Sequence, residues 1–109
     1  MPEPVLDMRT YTIRPRGVPE FVRLWEELML PVALKHWGKP AAFYVTEIGP
    51  LNQVIHIWEF ESLAHLEHCR AAIAADPASA RYLAATDGMI VAQEDRIVRR
   101  VNFKALATG

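Results

Sequence analysis

The chain has 109 residues, 51% of them hydrophobic and 23% charged, with a formal net charge of −1. That length fits one domain with one modest core and excludes two of ordinary size. The balanced charge offers no broad basic surface for nucleic acid, the single Cys69 excludes an intrachain disulfide framework, and no apolar run reaches the roughly 18 residues of a membrane span.

The opening MPEPVLDMRTYT shows neither the basic nor the apolar region of a secretory signal, and a lone cysteine suits a reducing compartment, so a cytoplasmic protein is expected. Leu6 to Ile13 reads as a strand, with Leu6, Met8, Thr10 and Thr12 on one face and Asp7, Arg9, Tyr11 and Ile13 on the other. Pro15-Arg16-Gly17 turns the chain. Phe21, Val22, Trp25, Leu28, Met29 and Val32 then recur at helical spacing from Val18 to about Lys35. Pro31 interrupts this pattern, because it lacks an amide donor and crowds the carbonyl four residues back; it kinks or divides the helix.

Ala41 to Ile48 and Gln53 to Phe60 read as strands joined by Gly49-Pro50-Leu51-Asn52, which predicts an antiparallel hairpin. Ser62 is placed to cap a helix whose apolar stripe is Leu63, Leu66 and Ile73, and Asp76-Pro77 starts a second short helix over Ala78 to Ala85. Thr86-Asp87-Gly88 breaks the helical pattern. Met89 to Phe103 follows as a long extended segment whose imperfect alternation between Ile90 and Val98 predicts a bulge or an inexact span. The tail after Ala105 contains little that compels order.

The resulting order, β-α-β-β-α-β, is that of an α+β fold of the ferredoxin-like, split βαβ type: a four-stranded antiparallel sheet with helices on one face. Assigning Ile55 and Ile57 to the helix side sends Val54, His56, Trp58 and Phe60 to the open side, leaving both faces apolar. A second copy of the chain would cover the open face, so a homodimer is expected.

The stretches MRTYTIRPRGVPEF, LWEELMLPVALKHWGKPAAFYVTEIGPLNQVIHIWEFES and AADPASARY…IVAQEDRI resemble the NIPSNAP family, over about Leu6 to Val98. The segment TEIGPLNQVIHIW, Thr46 to Trp58, is the most specific part. The resemblance implies a single NIPSNAP-like domain over 1–109 with a core of about 6–103. It also implies a dimeric α/β barrel, in which two ferredoxin-like sheets meet around a shared interior. Superfamily relatives include small monooxygenases, isomerases and haem-degrading proteins, but a shared fold names no reaction.

Arg9, Tyr11, Tyr44, His56 and Trp58 are the candidate ligand-binding residues, a mainly apolar set with a few polar handles. His36, where the first helix gives way to the next strand, is the candidate for the cavity mouth; a histidine there also complements the helix dipole. His56 is the candidate general base, since imidazole exchanges a proton near neutral pH. Each also has a plain packing role open to it, most strongly Trp58.

His65, His68 and Cys69 lie close on one helix, but zinc needs three or four converging ligands, and no metal is expected. No cofactor is expected either, although spacing alone leaves axial haem ligation open. No glycine-rich phosphate cradle follows a strand. The tail cluster Arg96, Arg99, Arg100 and Lys104 follows Glu94 and Asp95 and reads as a solvated or dimer-stabilising face rather than a nucleic-acid site. The leading functional expectation is a dimer that binds a small hydrophobic molecule with a polar end in a barrel cavity. The alternatives are a small cofactor-independent monooxygenase or isomerase-like enzyme, and a structural or protein-interaction dimer without a ligand.

Overall fold

The computed structural model describes residues 3–106. Its elements are β1 (Val5–Ile13), α1 (Val18–Leu24), a π-helical turn (Trp25–Met29), α2 (Leu30–His36), β2 (Ala42–Val45), β3 (Gln53–Phe60), α3 (Leu63–Ala75), α4 (Pro77–Ala85), β4 (Ile90–Val98) and a 3-10 turn (Lys104–Leu106). The last three residues of the tail, like Met1 and Pro2, lie outside the described residues.

All four strands join one antiparallel sheet in the order β2-β3-β1-β4. The barrel implied by the resemblance is not there. β2 pairs with β3 and β4 pairs with β1, so the sheet is open, with β2 and β4 as its two edges. The physical reason is that the aromatic face of β3, which a barrel would turn to its interior, is already buried under the chain's own helices. Here the helices supply the second layer instead. The architecture is an α+β fold with an open antiparallel sheet and flanking helices.

The two faces of β3 are the reverse of the expected assignment. Val54, His56, Trp58 and Phe60 are buried under the helices, where Trp58 meets Trp25 and Trp37 with ring centroids 5.9 and 5.1 Å apart. Ile55 and Ile57 lie on the other face and are half-buried. Burying the aromatic side removes more apolar surface than burying two isoleucines, and three tryptophans interlock only in this register. From β1 the helix side receives Val5, Asp7, Tyr11 and Ile13, with Asp7 fully buried among them.

The first helical segment is divided just ahead of Pro31: a π-helical turn over Trp25–Met29 separates α1 from α2, which carries Pro31 in its first turn. The amide of Leu30 bonds to the carbonyl of Trp25, five residues back, closing the π turn that ends at Met29. That spacing accommodates a residue with no amide hydrogen. Ser62 caps α3 by accepting from the His65 amide at 3.0 Å, and Asp76 caps α4 by accepting from the Ala78 amide at 2.9 Å.

Two strands are shorter than their sequence patterns. β2 stops at Val45, because Gly49 (φ 129°) and Asn52 (φ 64°) turn the chain before β3 begins. β4 stops at Val98 opposite Leu6, where β1, its pairing partner, is nearly exhausted. The expected bulge is present as a register shift at Thr12/Ile13, where β4 passes from Ala92 to Ile90.

A candidate ligand cavity between sheet and helices

A cavity of about 380 Å³ opens between the sheet and the helices. β1 contributes Arg9 and Tyr11, two residues apart and therefore on one face. β3 contributes His56 and Trp58 by the same alternation. Trp25 and Met29 reach it from the two ends of the π turn, Trp37 from the end of α2, and Ile73 and Tyr82 from α3 and α4. The walls are mainly apolar, with few polar groups, the composition of small-molecule sites.

His56 is 2% exposed and lies opposite Arg9 in the β1–β3 register. Its ring stacks on Phe43 at 4.9 Å and meets Tyr11 edge-on at the same centroid distance. The indole nitrogen of Trp58 lies 2.7 Å from Nδ1 of His56. An indole N–H can only donate, so Nδ1 must accept, and the imidazole of a neutral His56 has its proton on Nε2. That Nε2 has no hydrogen-bond partner among the described residues. Burial, with the nearby Arg9 guanidinium adding to it, pushes the His56 pKa down to about 3. At neutral pH His56 is therefore an uncharged ring with one free N–H.

Arg9 donates from Nη1 to the Tyr11 oxygen at 2.9 Å and from Nε to Asp7 at 3.2 Å, while Nη2 lies 3.5 Å from Asp95. Its guanidinium sits 5.1 Å from the Trp37 ring centroid, within reach of a cation–π contact. Arg70 of α3 joins the same group, 2.6 Å from Asp95 and 3.7 Å from Asp7. Two guanidiniums and two carboxylates thus form one cluster beside the cavity. Burial pushes the Asp7 carboxyl up to about 6, reinforced by a hydrogen bond with Asp95 and opposed by Arg9.

The structure brings four of the six candidates together: Arg9, Tyr11, His56 and Trp58. Tyr44 is placed elsewhere, opposite Ile55 on the outer face and 57% exposed. His36 is also outside the cavity wall; its Nε2 lies 2.8 Å from Asp76, joining α2 to the α3–α4 junction. Its neighbour Trp37 lines the cavity instead and donates its indole N–H to the Cys69 carbonyl at 3.0 Å.

Asp7, Arg70 and Asp95 were not distinguished by their sequence spacing. A signal for Asp7 was nevertheless present, as an acid in the inward set of β1 two residues from Arg9. Arg70 had a weaker one, as a cation four residues after Leu66 and three before Ile73 on an apolar helix stripe.

Among the described residues, no group of three His, Cys, Asp or Glu side chains is placed to hold a metal ion. His65 instead accepts from the Glu61 amide at 3.0 Å, and burial raises the pKa of the Cys69 thiol. No described helix is long and apolar enough to cross a membrane.

An open antiparallel sheet under helices, with an aromatic cavity between the layers, defines the class of this protein. The chain belongs to the NIPSNAP family, whose family model matches residues 6–105. It is similar to the crystal structure of a NIPSNAP family protein of unknown function from Agrobacterium tumefaciens, with 28% identity, 96% of this chain and 95% of that one covered, and a TM-score of 0.89. An uncharacterized NIPSNAP-like domain protein from Burkholderia xenovorans matches with 28% identity, 94% and 90% coverage and a TM-score of 0.88. A putative monooxygenase from Lactobacillus acidophilus shares the fold at 14% identity and a TM-score of 0.67, with 91% of this chain and 46% of that one covered. No curated protein matches the sequence.

Proposed function

We propose that the cavity between sheet and helices binds a small, mainly apolar organic molecule by one polar end. The observation that carries this reading is His56, which lines a cavity of about 380 Å³ and whose buried Nε2 has no partner among the described residues. A buried polar group without a partner costs on the order of 1–3 kcal/mol, and a ligand atom at that position would remove the cost. Trp25, Trp37 and Trp58 supply apolar contact around it. In this reading Arg9, Tyr11, His56 and Trp58 form the site, and His56 works as a hydrogen-bond donor rather than as the general base.

The test is native mass spectrometry of the wild-type protein against a mixed panel of small organic molecules. It is compared with Ala33→Phe, which places a ring into the cavity from a fully buried position. Capture by the wild type and loss in the folded variant is the expected result. No capture, or capture that Ala33→Phe leaves unchanged, contradicts the reading.

Three expectations from the sequence accompany it as proposals: that 1–109 is one domain, that the protein works in the cytoplasm, and that it is a homodimer. The last is supported by Met8, Ile55 and Ile57, half-buried apolar residues grouped on the outer sheet face. Sedimentation velocity at micromolar concentration tests it; a single monomeric species overturns it.

A further inference from the structure

Resting on the cavity as a binding site, we infer that its polar end accepts a neutral carbonyl-type oxygen, held by the Nε2–H of His56 and the hydroxyl of Tyr11. The ligand class is an aldehyde, ketone, ester or amide on a compact apolar body. Three observations lead there.

Two buried residues at the wall, His56 and Tyr11, each have a hydrogen to give, while Gln93 is exposed and carries both a donor and an acceptor. The Trp58 indole occupies Nδ1 of His56 at 2.7 Å, which leaves Nε2–H, on a residue that lines the cavity, buried without a partner among the described residues. The Tyr11 oxygen already accepts from Arg9 at 2.9 Å, so its own proton is free to donate. The two rings are in edge-on contact, 4.9 Å between centroids, and in this inference both donors serve one oxygen. Ser79 is spent, its hydroxyl donating to the Ile73 carbonyl at 2.6 Å. An amine end would present donors to these two buried donors.

The positive charge beside the cavity is already balanced. Arg9 and Arg70 both lie against Asp7 and Asp95, two cations with two anions in one cluster. An incoming carboxylate would give up its hydration without gaining an unmatched cation, and burial of such a charge is costly. A neutral carbonyl has two acceptor lone pairs and no charge to desolvate. The walls, meanwhile, favour a flat body: Trp25, Trp37 and Trp58 are all within one aromatic cluster.

The experiment is an NMR titration of the full chain with four matched probes: acetophenone, benzoate, benzylamine and toluene. Acetophenone should bind about tenfold more tightly than the other three, the worth of a well-made hydrogen bond in a buried site. His56→Phe should bring acetophenone down to the level of toluene while leaving toluene itself little changed. Tyr11→Phe, a smaller alteration that removes only the hydroxyl, should reduce the preference for acetophenone over toluene severalfold. Stronger binding of benzoate or benzylamine overturns the carbonyl assignment and leaves the cavity reading standing. So does equal binding of toluene and acetophenone, or a preference that survives both variants. Failure of all four probes to bind overturns the assignment and the cavity reading together.

Discussion

The indole N–H of Trp58 donates to Nδ1 of His56 across 2.7 Å, within a single strand and two residues apart. This bond determines what His56 can do. Both side chains are almost fully buried, and the indole has no acceptor atom with which to reverse the direction. A histidine so held is a fixed donor, and its ring is kept uncharged by burial.

Removing the bond should release the ring. In Trp58→Phe the Nδ1 atom loses its partner, so the proton is free to sit on either nitrogen. The variant should lose about 1–3 kcal/mol from an unpaired buried acceptor and the lost indole volume together. Urea unfolding measures the cost, and an unchanged midpoint would mean that the bond contributes nothing to the fold.

His56 should also shape stability against pH. Its folded pKa is depressed from 6.5 to about 3, so its contribution is fully present above pH 6.5 and is lost progressively as pH falls toward 3. His56→Gln removes a titrating group. The stability gap between wild type and this variant should therefore narrow between about pH 7 and about pH 4. A gap that stays constant across that window contradicts a neutral, buried His56.

Asp7 acts in the opposite direction. Its folded pKa is raised from 3.8 to about 6, so the stabilising contribution is complete below 3.8 and is lost as pH rises through about 6. A shift of this size corresponds to about 3 kcal/mol. Asp7→Asn loses the ion pairs that the ionised carboxylate makes with Arg9 and Arg70, but avoids the buried charge. Relative to wild type it should be favoured at about pH 8 and lose ground steadily toward about pH 4.5. Paired chemical denaturation curves give the comparison, and a difference with the opposite slope would show that Arg9 and Arg70 keep Asp7 ionised.

Asp76 has two hydrogen-bond partners that link separate elements, with the Lys35 ammonium a further 3.6 Å contact from α2. It caps α4 at the Ala78 amide and accepts from His36 of α2 at 2.8 Å. The His36 hydrogen bond, with the Ala78 amide next, holds its carboxyl below the ordinary value. Asp76→Ala should lower the melting temperature more than His36→Ala, since it removes the cap as well as the link. Equal effects would show that the cap adds nothing to the His36 contact.

Much of the topology could be read from residue patterns, because strand alternation, the Ser62 and Asp76 caps and the Gly49–Asn52 turn are local signals. The facing of β3 was harder. Val54, His56, Trp58 and Phe60 on one side and Ile55 and Ile57 on the other are both plausible core sets, and local periodicity does not say which lies under the helices. Only the long-range meeting of Trp58 with Trp25 and Trp37 decides it.

The same limit applied to the site. Arg9 and Tyr11 could be paired by their spacing of two, and His56 with Trp58 likewise. Tyr44 shares its face with Ile55 instead of His56, which depends on the β2–β3 register, and a turn of uncertain length could not fix that register. Arg70 and Asp95 come from elements far apart in the chain and meet Asp7 only after folding.

The most direct measurement of the central claim is ¹⁵N NMR of the His56 ring in the folded wild-type protein. The account predicts a proton on Nε2, none on Nδ1, and no change between about pH 8 and about pH 5, where an ordinary histidine titrates. A proton on Nδ1, or a midpoint near the ordinary value, would contradict it.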